Sequence, residues 1–217
     1  MFLLVFSFVV EFFAAFTGLI RRKHLDNKGL RYFPIFLFIQ FLNILISSLY
    51  FRVFQLGSNI WMYNLFILFD MLSFSYFFYY QFDSSRLKKL TVWLSIAFVV
   101  FYIINLLFIQ DFYKYFSNPR SLMGGNLIVF SLMYFFQLFN NPKMVEDISR
   151  KASFWIVIGI FFFYLTSTVI MGSLNYLITI YTEISKYYNH SATMKYLAMS
   201  LYSFYIIGFL CHKTEQT

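Results

Sequence analysis

The chain has 217 residues, of which 60% are hydrophobic, 25% aromatic and only 12% charged, and its formal net charge at pH 7 is +8. Soluble domains carry roughly 25% charged residues, so this composition excludes an ordinary soluble protein. Eight Gly, three Pro and one Cys likewise exclude collagen-like, low-complexity and disulfide-bonded scaffolds. The class that remains is an all-α integral membrane protein.

Seven segments fit the length of a membrane-crossing helix, which needs about 20 mostly apolar residues. We therefore predict one domain, residues 1–217, formed by a bundle of seven transmembrane helices. The predicted helices run from Phe2 to Ile20, Tyr32 to Phe51, Ile60 to Tyr80, Leu90 to Ile109, Ser121 to Phe139, Ser153 to Ile180 and Thr193 to Cys211. A membrane β-barrel is excluded, because none of these segments alternates apolar with polar residues.

The basic residues divide unequally between the two predicted sides of the membrane, and loops rich in Lys and Arg stay in the cytoplasm. One side holds Arg21, Arg22, Lys23, Lys28, Arg31, Arg86, Lys88, Lys89, Lys143, Arg150, Lys151 and Lys213. The other side holds only Arg52, Lys114, Arg120, Lys186 and Lys195. We therefore expect a multi-pass protein of the cell inner (plasma) membrane, with the N-terminus outside and the C-terminus in the cytoplasm.

Two carboxylates fall near the middle of predicted helices, Glu11 in the first and Asp70 in the third. An ionised acid at this depth costs at least about 2.5 kcal/mol, and no Lys or Arg is predicted beside either acid. If the two helices adjoin, the acids share a proton, hold a cation or each remain protonated. The alternative is that each acid simply makes a hydrogen bond between helices.

Other polar residues recur at helical spacing and predict which faces point into the bundle. Tyr164 and Thr168 form such a face on the sixth helix, and Lys195, Tyr202 and Tyr205 on the seventh. Asparagines collect in the predicted outer half of the membrane, which favours a pocket that opens to the outside. The predicted ligand-binding residues are Glu11, Tyr63, Asn64, Asp70, Asn105, Asn126 and Asn175. The open alternative is that the asparagines only join helices.

Signals for catalysis and for cofactors are weak. The three histidines, His24, His190 and His212, share no helical face with a carboxylate at metal-ligand spacing. We predict no metal, no cofactor and no catalytic residue, and the excess of basic residues is explained by membrane topology rather than by nucleic-acid binding.

The spacing of Asn64 and Asp70, followed by the aromatic run from Tyr76 to Tyr80, resembles small uncharacterised seven-helix proteins of bacterial inner membranes. Phe154-Trp155 and Tyr164-Leu165-Thr166 are similar to that family too, although an acid at position 70 is expected to be Glu there. The resemblance implies a sensory companion of histidine kinases.

We therefore expect a receptor-like protein that binds a small or lipid-like ligand from the outer side and signals through a membrane partner. Its other expected partner is the lipid bilayer itself. The connecting segments are too short for a kinase or DNA-binding domain, so a signal passes by helix movement. The alternatives are a transporter or channel that uses Glu11 and Asp70, an accessory subunit of a membrane complex, and a membrane-embedded enzyme.

Overall fold

A computed structural model describes residues 2–25, 27–54, 57–140, 148–180 and 190–211, with side chains outside 2–4, 52, 171–180 and 190–191. Within these residues the chain forms seven long α-helices and no strand. We number them α1 (Phe2–Arg21), α2 (Lys28–Arg52), α3 (Ile60–Gln81), α4 (Ser85–Ile104), α5 (Ser117–Phe139), α6 (Ala152–Ile180) and α7 (His190–Cys211). The expectation of an all-helical fold is confirmed.

Among the described residues, six helical segments are long and apolar enough to cross a membrane: Lys28–Phe51, Ile60–Gln81, Ser85–Ile109, Ser117–Phe139, Ala152–Ile170 and Ala192–Cys211. The chain is therefore a multi-pass membrane protein by the length and composition of its helices. The seventh predicted crossing, over α1, stays a prediction, as do the side of the membrane on which each terminus lies and the identity of that membrane.

The helices pack around a closed circuit. α1 contacts α2 and α7, α2 contacts α3, α3 contacts α5, α5 contacts α6, and α6 contacts α7. α4 packs against α3 and α5, and it buries the smallest share of its residues among the six apolar spans. The circuit places residues from α1, α3, α5, α6 and α7 around one interior.

Four helices begin at least three residues earlier than the apolar runs predict, among them α7, at His190 rather than Thr193. α2 begins at Lys28 rather than Tyr32, because Asn27 caps it with a side-chain oxygen that accepts a hydrogen bond from the Leu30 amide at 2.9 Å. α4 begins at Ser85 rather than Leu90. α5 begins at Ser117 rather than Ser121, with Pro119 in its first turn, where proline is well tolerated. The last residues of the predicted fourth helix, Asn105–Ile109, form a π-helix that continues α4.

We call one end of the bundle the basic end, because it carries Arg21, Lys23, Arg86, Lys88 and Arg150. Here α1, α3, α5 and α7 end and α2, α4 and α6 begin. The opposite end is where α3 and α5 begin and where the π-helix ends. The two names hold whichever way the protein is inserted.

The half of the bundle near the basic end is filled by aromatic rings. The Phe33 ring lies 4.8 Å from Phe77 and 6.5 Å from Phe209, and the Phe78 ring lies 5.5 Å from Phe130, measured between centroids. All five side chains are less than 2% exposed. Aromatic side chains therefore fill the interior at the end of the bundle that is rich in Lys and Arg.

Amide side chains join the helices beyond that aromatic core. The Asn27 amide donates to Gln81 Oε1 at 3.1 Å, and the Gln81 amide donates back to Asn27 Oδ1 at 3.3 Å. Gln137 donates to the Gln81 carbonyl at 3.1 Å and accepts from the Asp83 amide at 2.9 Å. The three side chains therefore tie α2, α3 and α5 together at the basic end.

Candidate functional site

Glu11 connects α1 to α7. The carboxylate is the tenth residue of α1, halfway along the helix, and its residue is only 4% exposed. The Tyr202 hydroxyl donates a hydrogen bond to Glu11 Oε1 at 2.9 Å. Tyr202, which stands on the predicted inward face of the seventh helix, is therefore a hydrogen-bond partner of Glu11.

Asp70 connects α3 to α5. A guanidinium nitrogen of Arg120, Nη1, lies 3.9 Å from Asp70 Oδ2. The expectation that no Lys or Arg lies beside the acids is therefore wrong for Asp70. The reason is the early start of α5, which places Arg120 on the helix, from which its long side chain extends toward the bundle middle.

Tyrosines surround the Arg120 guanidinium. Its central carbon lies 5.7 Å from the centre of the Tyr164 ring, within the range of a cation–π contact. Tyr202 lies close enough to Arg120 for electrostatic interaction, and Tyr205 is close enough to interact with Asp70 and Tyr164. We call Glu11, Asp70, Arg120, Tyr164, Tyr202 and Tyr205 the central cluster.

The central cluster contains two acids and one cation. Glu11 and Asp70 lie close enough to interact with each other, so they belong to one electrostatic unit. A buried charge without a partner is costly, and Arg120 can neutralise only one carboxylate. The arrangement is electrically neutral when it carries one additional proton or one additional cation.

Two observations indicate that polar groups of the central cluster can form further hydrogen bonds. The Arg120 side chain keeps 34% of its exposure although it points among aromatic rings, whereas the Asp70 side chain keeps 11%. Within the described part of the chain, the Tyr205 hydroxyl is fully buried and has no hydrogen-bond partner. Buried hydroxyls usually find a partner, so the Tyr205 hydroxyl can still form a hydrogen bond.

Asn64 lies outside the central cluster and organises a loop instead. Its amide nitrogen donates to the carbonyl groups of Phe112 and Lys114 at 2.7 and 2.8 Å, and its oxygen accepts from the Phe116 amide at 3.0 Å. The side chain is fully buried, and both amide donors are occupied. Asn64 therefore fixes the segment that leads into α5 and to Arg120. A direct ligand contact by Asn64 stays a prediction.

The other predicted ligand-binding residues lie toward the opposite end of the bundle. Asn105 is fully buried at the start of the π-helix, and neither its amide nitrogen nor its oxygen has a partner among the described residues. Tyr63 is half-buried, and Asn126 is buried on α5. Asn175 lies in α6, where the structure describes its backbone but not its side chain. Their roles as ligand contacts stay predictions.

Sequence reasoning missed Arg120, the residue that joins Asp70 to the other elements. The signal was present in Ser117-Asn118-Pro119, which precedes the predicted start of the fifth helix at Ser121 but is a favourable helix start. The buried positions of Tyr202 and Tyr205 agree with the predicted inward face of the seventh helix.

Within the described residues, no group of three His, Cys, Asp or Glu side chains is placed to hold a metal ion. The chain matches no family model, and comparison with curated proteins and with solved structures finds no similar protein.

Proposed function

We propose that this chain is a receptor-like membrane protein that binds a small or lipid-like ligand in the central cluster and signals through a membrane partner. The distribution of Lys and Arg supports an orientation with the basic end in the cytoplasm and the opposite end outside. In this orientation the aromatic core closes the inner half, and the ligand enters from the outer side. Because the sequence resembles sensory companions of histidine kinases, we propose that the partner is a sensor kinase of the inner membrane.

The observation that carries the proposal is the loose pairing of Arg120. Charge-assisted hydrogen bonds between Arg and a carboxylate are usually about 2.7 to 2.9 Å long. The contact between Arg120 and Asp70 is 3.9 Å, and 34% of the arginine side chain is still exposed. A guanidinium offers five N–H donors. Among the described residues, the guanidinium donors and the Tyr205 hydroxyl have no hydrogen-bond partner, and together with the aromatic walls they favour a ligand with an anionic group and an apolar body.

Ligand binding also gives a route for the signal. Arg120 on α5, Asp70 on α3 and Tyr164 on α6 belong to different helices. An anion that binds Arg120 competes with Asp70, and the α3–α5 contact weakens as a result. A ligand shifts a helix arrangement only by its difference in affinity for the two states, and this competition supplies that difference.

The experiment uses hexanoate and its uncharged counterpart hexanamide with the purified full chain in detergent. We expect hexanoate to raise the melting temperature by roughly 5 °C or more at a hundredfold excess over Kd, and hexanamide to leave it unchanged. Arg120→Gln should remove the shift, whereas Arg86→Gln, the same substitution at the basic end, should keep it. Equal shifts with both compounds, or a hexanoate shift that survives Arg120→Gln, would contradict the proposal.

A second candidate function is ion- or proton-coupled transport. It is favoured by the charge count of the central cluster, where two acids and one cation leave room for one proton or one cation. Liposomes that contain only this protein test it directly. A transporter moves protons or sodium across the bilayer, and Glu11→Gln and Asp70→Asn stop the movement, while a receptor leaves the gradient intact.

A further inference from the structure

An apolar groove runs between α3 and α4 in the half of the bundle nearest the basic end. It has a volume of about 370 Å³, and its walls include Leu72, Tyr76 and Tyr79 from α3 and Val92, Ile96 and Val99 from α4. At 1.5 Å per residue, the α4 wall from Val92 to Val99 is about 10 Å long, which is most of the hydrocarbon thickness of one leaflet. The groove is thus oriented along a lipid chain rather than across it.

The serine and threonine hydroxyl groups in the groove wall are occupied by one another and by the backbone. Ser95 Oγ lies 2.7 Å from Ser75 Oγ and 2.7 Å from the Thr91 carbonyl. The Thr91 hydroxyl donates to the Leu87 carbonyl at 3.0 Å. A polar ligand therefore finds few free partners in this groove, whereas a hydrocarbon chain needs none.

Positive charge lies at the basic end of the groove. The Lys88 ammonium lies 5.6 Å from the centre of the Tyr79 ring, which is part of the groove wall. Arg86 and Lys89 are exposed in the same first turns of α4, and Asp83 is the only acid between residues 82 and 91. An excess of basic residues just beyond a membrane span attracts anionic headgroups.

We propose that this groove, the α3–α4 groove, binds one acyl chain of an anionic phospholipid, whose headgroup lies against Lys88. The apolar walls select a chain, and the charge beside the groove selects the headgroup. The groove lies between α3 and α4 and shares no lining residue with the central cluster, so this proposal does not depend on the proposed receptor function.

The first test measures lipid retention by native mass spectrometry. The full chain is purified with equal amounts of phosphatidylglycerol and phosphatidylcholine that carry the same acyl chains. We expect preferential retention of phosphatidylglycerol, and Lys88→Gln should lower that preference about fivefold, the factor for one basic residue near an anionic lipid surface. Lys89→Gln makes the same charge change one residue away and should have a smaller effect. Equal retention of the two lipids, or equal loss from both variants, would overturn the proposal.

A second pair of variants tests the groove itself. Val92→Phe fills the groove and should reduce phosphatidylglycerol retention severalfold. Val129→Phe is the matched control, because Val129 on α5 is 41% exposed against 42% for Val92 but does not line the groove. Equal retention by both variants would place the lipid elsewhere.

Photo-crosslinking in membranes then identifies the occupant. A photoreactive residue that replaces Ile96 should form an adduct with phospholipid. An adduct with a second copy of the chain, or with a helix of another protein, would show that the groove is a protein interface and would overturn the lipid assignment.

Discussion

The half of the bundle near the basic end and the half that contains the partly exposed Arg120 are built in different ways. The basic half is filled by Phe33, Phe77, Phe78 and Phe130 and is tied across its end by amide hydrogen bonds. In the other half, the described residues leave Asn105 without hydrogen-bond partners. A helix bundle in lipid gains stability from close contact and not from a hydrophobic force between helices. The comparison therefore predicts that substitutions in the basic half cost more stability than substitutions in the opposite half.

The largest expected effect comes from removing a ring of the aromatic core. Phe77→Ala should lower the free energy of unfolding by about 3 kcal/mol, because the cavity cannot be refilled by its aromatic neighbours. Phe136→Ala, on α5, should change it by less than about 0.5 kcal/mol, since that ring is 68% exposed. Denaturant titration of both purified variants measures the difference, and similar losses would mean that the core is not where the stability lies.

Two glycine substitutions, one in each half of the bundle, test how tightly the helices pack there. A Cβ at Gly208 would lie 2.9 Å from the Ala152 carbonyl oxygen, which belongs to the backbone and cannot easily move. Gly208→Ala should therefore cost about 2 kcal/mol. At Gly125, near the opposite end, a Cβ meets no described atom within 4 Å, and Gly125→Ala should stabilise by up to about 1 kcal/mol through helix propensity. Thermal unfolding of both variants distinguishes the two signs, and a shared sign would contradict the comparison.

The Asp70–Arg120 pair should contribute less than a fully buried ion pair. Arg120→Gln removes the cation beside two acids and should cost about 2 kcal/mol, a value reduced from the buried case because the arginine is partly exposed. Asp70→Asn should cost less, and the double variant should cost less than the sum of the two. A double-mutant cycle measures this coupling. Strictly additive losses would show that the 3.9 Å contact carries no interaction.

The smallest effect concerns the amide network at the basic end. Asn27→Ala removes the cap of α2 and the amide pair with Gln81, and it should cost about 1 kcal/mol. Asn27→Asp keeps the capping oxygen and loses only the amide donor, so it should cost about 0.6 kcal/mol, the average for a hydrogen bond between membrane helices. If Asn27→Ala and Asn27→Asp lower the free energy of unfolding equally, the amide pair with Gln81 accounts for the whole effect and the cap for none of it.

The helical fold was predictable because the apolar runs are long and strongly bounded by charge. The cluster was predictable in part, since Glu11, Asp70, Tyr202 and Tyr205 stand on faces that the spacing identifies. The place of Arg120 in the cluster was not predictable. Hydropathy alone predicts that the fifth helix begins where the apolar run begins, whereas the backbone of α5 begins at Ser117, before Pro119. The role of Asn64 was also hidden, since its partners are backbone carbonyl and amide groups of a distant loop, which leave no mark in side-chain patterns.

The central claim is that water and ligands reach Arg120 from outside, while the aromatic core is sealed. Cysteine accessibility in intact cells tests it, with the native Cys211 replaced in Cys211→Ser. We predict that Arg120→Cys reacts with a membrane-impermeant thiol reagent added outside and that Phe78→Cys does not. An unreactive Arg120→Cys, or one that reacts only from the cytoplasmic side of inverted vesicles, would contradict the account.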